Sequence, residues 1–170
     1  MKRLFSHLII YTVCLLLVLS LSACKNTEIT YTVEEMQITL TEDFVEVPTT
    51  RRGSSFEKKD MAIKIIRESR SVVEDAAGHS DVSLETYADL ILESNRLTLP
   101  ITREKSCLSY QYTALDEVVN KNYTYYVTLH KSDDAFWLVQ FIAAEDSFED
   151  KRNEINTYLD SIVFDQKEAE

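Results

Sequence analysis

The chain holds two glycines in 170 residues, Gly53 and Gly78, and their scarcity removes whole classes of chemistry. Phosphate cradles need several glycines for close backbone approach, and a Gly-x-Ser-x-Gly nucleophile elbow needs two at fixed spacing. Neither can be built here. Cysteine is almost as rare, with Cys14, Cys24 and Cys107 far apart, so no zinc-ribbon spacing exists. The three histidines, His7, His79 and His130, form no His-x-x-x-His pair. The sequence therefore implies no metal and no cofactor. Basic charge is also short: 18 Lys and Arg stand against 29 Asp and Glu, a formal net charge of −11. Nucleic acids and anionic headgroups are held by clusters of lysine and arginine, so a nucleic-acid partner is excluded on charge.

Long apolar runs are missing too, with one exception, Leu8 to Leu21. Lys2 and Arg3 precede it, and the small residues Ser22 and Ala23 follow it directly before Cys24. A positive start, an apolar stretch and a small-residue cleavage site are the parts of an export signal. The run is about 14 residues, whereas a permanent membrane span takes roughly 20. A short transmembrane anchor is thus the weaker of the two readings.

Leu21-Ser22-Ala23-Cys24 resembles the lipobox of bacterial lipoproteins. That resemblance implies a diacylglyceryl group on the Cys24 thiol, cleavage before Cys24, and a location at the cell membrane on its extracytoplasmic face. One acyl chain binds a bilayer only marginally, and two make a stable anchor. Loss of residues 1–23 removes two basic and no acidic residues, which takes the formal charge from −11 to −13. Cys107 is then the one cysteine left free, so the mature domain has no internal disulfide.

The remaining length suits one domain. Residues 24–33 read as a short tether, 34–166 as the domain, and 167–170 as a charged tail. Met36, Ile38 and Leu40 alternate as a strand near 35–40, and Phe44–Val47 packs back before Pro48. Thr49 to Ser55 reads as a loop, Phe56 to Asp60 as a charged approach, and Met61 to Ile66 as a strand. Ser71 to Val82 reads as a second loop, with His79 exposed on it.

Ser83 opens the clearest helix, over about 83–95. Leu84, Tyr87, Ala88, Ile91 and Leu92 share one face. Ser83 is an N-cap, Glu85 suits the positive end of the dipole, and Val82 with Tyr87 makes a hydrophobic staple. From Cys107 the pattern turns to strands. Leu108, Tyr110, Tyr112 and Ala114 share a side, and Asp116 to Asn122 is a polar turn. Tyr123, Tyr125, Val127 and Leu129 then alternate with Thr124, Tyr126, Thr128 and His130. A turn at Lys131–Asp134 returns the chain through Phe136-Trp137-Leu138-Val139-Gln140-Phe141 as a hairpin apolar on both faces. A second helix over about 148–161 follows a capping pattern at Ser147, and Ile162–Phe164 ends as a short strand. The fold class is α+β.

The capped helix from Ser83, the tyrosine-rich strands, the Asp134–Phe141 strand and the closing helix together resemble the PsbP-like (Mog/PsbP) group. The likeness spans about residues 34 to 166. It implies an α/β/α sandwich around a central, mainly antiparallel sheet. Members of the group include a photosystem II extrinsic protein, a nuclear Ran-binding protein and many bacterial lipoproteins. The resemblance implies a non-catalytic binding or accessory role through an envelope protein partner. It transfers no functional residue, because no motif matches position by position.

Other constellations are thinner. Cys107 and His130 lie on neighbouring strands and are the one pair that suggests nucleophilic catalysis, which also needs a group to orient the base. The competing reading is a buried thiol beside a strand-end imidazole. Ser132, Asp133 and Asp134 lack EF-hand spacing and read as turn chemistry. Ser55-Phe56-Glu57-Lys58 fits Ser-x-x-Lys without its companion motifs, and reads as a solvated loop edge. Tyr123 to Tyr126 could line a partner surface, although helices over the sheet would bury most of them. A small-ligand pocket between helix and sheet is the remaining alternative.

Overall fold

The computed structural model describes residues 27–49 and 53–165, so Cys24 and the leader lie outside the described residues. Ten strands and three α-helices follow in order: β1 (Glu28–Val33), β2 (Met36–Thr41), β3 (Val45–Val47), β4 (Ser54–Lys58), β5 (Met61–Ser69), α1 (Arg70–Ala77), α2 (Leu84–Ser94), β6 (Thr102–Arg103), β7 (Leu108–Asp116), β8 (Lys121–Lys131), β9 (Ala135–Ala144), α3 (Phe148–Asp160) and β10 (Val163–Phe164). They form two antiparallel sheets. Seven strands run β3-β4-β5-β9-β8-β7-β6, and three run β1-β2-β10. This is the α+β class expected.

β9 sits at the centre because it is apolar on both sides. Its odd residues Trp137, Val139 and Phe141 pack with Ile63 and Ile65 of β5 against Met36, Ile38 and Leu40 of β2 and Phe148, Ile155 and Tyr158 of α3. Its even residue Phe136 packs with Leu108, Val127 and Leu129 against Val73 of α1 and Tyr87, Ala88 and Leu92 of α2. One covering layer is therefore helical. The other is part helix and part sheet, which departs from a simple α/β/α sandwich.

α2 forms as its spacing predicts. The Ser83 hydroxyl accepts from the Thr86 N–H at 3.1 Å, and Asn95 closes the far end by donating to Ile91 O at 2.7 Å. Val82 and Tyr87 are both buried, as a staple requires. Ser147 makes no cap; its hydroxyl turns back to Ala144 O at 3.3 Å, because a 3-10 turn at Glu145–Ser147 already leads into α3.

Three expectations are corrected. The stretch expected as tether over 24–33 is strand from Glu28: Tyr31 lies 4.7 Å from the Phe56 ring and donates to Phe44 O at 3.1 Å, so side chains bind this segment to the body. The loop expected over 71–82 contains helix α1, short and held by one fully buried side chain, Val73, which is too weak a stripe to read. The loop edge at Ser55–Lys58 is strand β4, paired with β3 and β5.

Two cations tie the layers together. The Lys58 side chain is only 6% exposed, paired with Glu154 of α3 and 3.8 Å from Asp43, with its ammonium 4.9 Å from the Phe44 ring centre. Arg67 of β5 reaches Glu34 and Glu35 of the β1–β2 turn at 3.1 Å and Asp134 at 3.3 Å, and lies over Trp137.

Phe141→Ala should cost about 3–5 kcal/mol in urea denaturation, since it opens a cavity where both sheets meet. Leu115→Ala, at an exposed position, should stay within about 0.5 kcal/mol.

Candidate functional site

The structure brings Cys107 and His130 to one place. β7 pairs with β8 from Leu108 opposite Leu129, and Cys107 precedes that register just as His130 follows it. Both line a cleft of about 330 Å³ with Glu104, Asn156 and Leu159, and both side chains are buried. His130 is also the wall toward a neighbouring cleft of about 590 Å³ that reaches Arg70 and Lys131.

The electrostatics oppose an ion pair. Burial, with Glu104 adding to it, pushes the Cys107 thiol up to about 11. Burial alone pulls His130 down to about 4. Both groups are held neutral at pH 7, whereas an activated thiolate needs a depressed cysteine pKa. His130 Nε2 instead hydrogen-bonds Thr128 Oγ1 at 3.0 Å, and its ring lies against Phe164 at 5.8 Å. Glu104 accepts from Ser109 at 3.0 Å and from Tyr126 at 2.7 Å on one carboxylate oxygen.

The other sequence candidates separate. Ser55 and Lys58 are three apart on β4 and so point to opposite faces, which rules out their acting as a pair. Asp134 faces Arg67, and among the described residues no group of three or more His, Cys, Asp or Glu could hold a metal ion. His79 is exposed and hydrogen-bonds Ser80 O at 2.9 Å.

A larger feature lies on the helical side of the main sheet. α1 and α2 cover the end at Tyr110, Leu129 and Phe136 and stop there. Beyond them, among the described residues, no element covers the same face where it continues through Tyr112, Tyr123, Tyr125, Gln140, Ile142 and Lys64. Tyr112 and Tyr125 stack with ring centres 4.8 Å apart and planes 4° apart, and Gln140 donates to Tyr112 OH at 3.2 Å. Clefts of about 450 and 490 Å³ run along this face on either side of Lys64. Lys64 and Lys121 supply positive charge, and Glu57 and Asp116 negative charge, so the surface is aromatic with mixed rims.

Of the tyrosines expected at a surface, Tyr123 and Tyr125 lie on this half-exposed face, while Tyr126 is buried on the other side under Arg152. Tyr112 and Ile142 were not among the expected surface residues. One signal for them was available. An 11-residue helix is about 16 Å long, and an 11-residue strand about 36 Å, so α2 cannot shield the whole of β8.

The fold is PsbP-like. Cyanobacterial PsbP (CyanoP) from Synechocystis sp. PCC 6803 superposes with a TM-score of 0.51 at 8% identity, covering 84% of this chain and 95% of that one. A protein from Bacteroides thetaiotaomicron, solved at 1.50 Å, gives 0.51 at 11% identity over 78% of this chain, and this chain spans 46% of that protein's length. LpqN of Mycobacterium tuberculosis, described as involved in cell envelope biogenesis, gives 0.48 at 11% identity over 82% of this chain and 91% of its own. No family model matches the sequence, and no curated protein matches it. Among the described residues no helix is long and apolar enough to cross a membrane.

Two measurements probe the Cys107–His130 cleft. Raising a thiol from 9.0 to about 11 lowers its thiolate fraction near pH 7.5 by roughly 100-fold, so native Cys107 should alkylate at least that much more slowly than in the denatured chain. His130 takes up its proton more readily unfolded than folded. Its contribution is therefore complete above about pH 6.5 and is lost as pH falls toward about 4, a swing of roughly 3 kcal/mol at 1.36 kcal/mol per unit. Urea midpoints measured from pH 7 to 4 should fall less steeply in His130→Gln than in the parent.

Proposed function

We propose that the chain is an extracytoplasmic lipoprotein, held to the cell membrane by lipid on Cys24, with a non-catalytic accessory role exercised by contact with an envelope protein. The observation that carries the role is the uncovered half of the main sheet at Tyr112, Tyr123 and Tyr125. Tyrosine offers a large apolar body with a polar tip, and it is enriched where one protein surface meets another. The clefts are open along the sheet and rimmed by charges of both signs, which suits an extended protein surface better than an enclosed small ligand. The neutral forms of Cys107 and His130 support the non-catalytic reading over an enzyme built on that pair.

The anchor is tested by fractionation. Cys24→Ser should leave the membrane fraction, and retention of that variant at parental levels removes the anchor from the proposal. The contact is tested by a photo-crosslinking residue placed at Tyr123 in the lipidated chain in intact cells, with Val72 on α1 as the comparison position. One protein adduct of defined mass at Tyr123, absent at Val72 and lost on Tyr125→Glu, is the expected result. Adducts equal at both positions would count against this face.

A further inference from the structure

The end of the molecule from which the chain leaves toward Cys24 also carries the most exposed apolar side chains among the described residues. The register fixes that end. Tyr123 of β8 pairs with Ala144 of β9, Ala62 of β5 pairs with Ile142, and Lys58 of β4 pairs with Met61, so the β7–β8 turn and the β4–β5 turn lie at one end of the main sheet. Glu28 of β1 pairs with Thr41, Glu42 N–H donates to Thr27 O at 2.9 Å, and Asp43 reaches Lys58 at 3.8 Å. Thr27 therefore emerges at the end that bears the β7–β8 turn. Cys24 is three peptide steps before Thr27, at most about 11 Å of fully extended chain.

At the β7–β8 turn Val118 is 94% exposed, Val119 57% and Leu115 55%. Ile29 and Val45, also exposed, sit at the same end on β1 and β3, whereas Val72 and Val163 lie elsewhere. The turn is shaped to present its valines. The Asp116 carboxylate folds back to accept from Val118 N–H at 2.9 Å and Val119 N–H at 3.3 Å. Two tip amides that bilayer hydrocarbon could not serve are thereby satisfied within the turn.

We infer that the β7–β8 turn is a second membrane contact, with Leu115, Val118 and Val119 entering the acyl boundary of the bilayer that holds the lipid on Cys24. This rests on the lipid-anchor reading. Three aliphatic side chains give too little affinity to recruit a free protein of charge −13. On a tethered protein the contact is intramolecular, and a short tether raises the effective concentration into the millimolar range, where a weak contact is occupied. Two points of attachment also orient the body, which a single flexible point cannot do.

The test uses the lipidated full chain in phosphatidylcholine vesicles with brominated acyl chains. Val118→Trp and, as a second reporter, Val119→Trp add an indole at the turn, and Val72→Trp adds one on α1. Trp137 is fully buried and supplies the same background in every variant. The mass of the N-terminal peptide is read first, and an unmodified Cys24 overturns the anchor reading and this inference together. With Cys24 lipidated, the added emission of both turn reporters should shift to the blue and be lost to bromolipid, while that of Val72→Trp persists. Turn reporters that are quenched no more than Val72→Trp overturn the membrane contact and leave the anchor standing. A blue shift without quenching that grows with protein concentration assigns the turn to a second copy of the chain, and likewise overturns it.

Discussion

The structure depends on burying both faces of β9 at once. Phe136 faces one side of the sheet and Trp137, Val139 and Phe141 the other, and all four are fully buried. A strand of that composition is stable only between two covering layers. The chain supplies them unequally. One side receives α3 and a small sheet woven from both ends of the domain, β1 and β2 before the main sheet and β10 after it. Among the described residues the other receives α1, α2 and the segment carrying Leu97, Leu99 and Ile101, which shield one end of the long strands. The uncovered tyrosine face follows from that shortage.

The better-covered side has to be registered as well as packed, and this is where the two shielded cations sit. Lys58 and Arg67 lie on adjacent strands but at opposite ends of the sheet, one tied to α3 and the β2–β3 turn, the other to the β1–β2 and β8–β9 turns. Partly buried ion pairs contribute little net stability, because desolvation offsets their attraction, yet breaking one leaves an uncompensated charge. Their consequence here is positional: sliding the small sheet over Ile63, Ile65 and Val139 would take Glu34 and Glu35 from Arg67 and Asp43 from Lys58. Apolar contact alone would allow several such offsets.

Local rules read some elements well and fail where tertiary contacts decide. α2 was legible because cap, staple and stripe agree within 13 residues, and the β8–β9 hairpin because an alternating strand and a strand apolar on both faces flank a polar turn. β1 was not, since Glu28, Thr30 and Thr32 on its exposed side mimic a polar lead, and it is the ladder with β2, the buried Val33 and the contacts of Tyr31 with Phe56 and Phe44 that make it part of the domain. α1 escaped notice for want of a second buried residue beside Val73. For the candidate sites, neighbouring strands did place Cys107 beside His130. Their protonation states required knowing that Phe164 and α3 close over them, from residues more than 25 positions away. An uncovered face is harder still to read, because it is defined by what other elements fail to reach.

Geometry also links the two surfaces on which the functional reading rests. The cleft that holds Tyr123 and Tyr125 extends to Asp116 and Lys121, the two residues that pair across the base of the β7–β8 turn. The aromatic face thus runs without interruption into the end from which Thr27 departs. If that end rests on a bilayer, the uncovered tyrosines stand beside the membrane rather than at the far pole of the domain. A partner reaching them would have to lie close to the membrane itself, as an integral protein's external loops or another anchored protein would. A partner diffusing freely beyond the headgroups would meet first the opposite end, where Arg67, Glu34 and Asp134 are already engaged with one another.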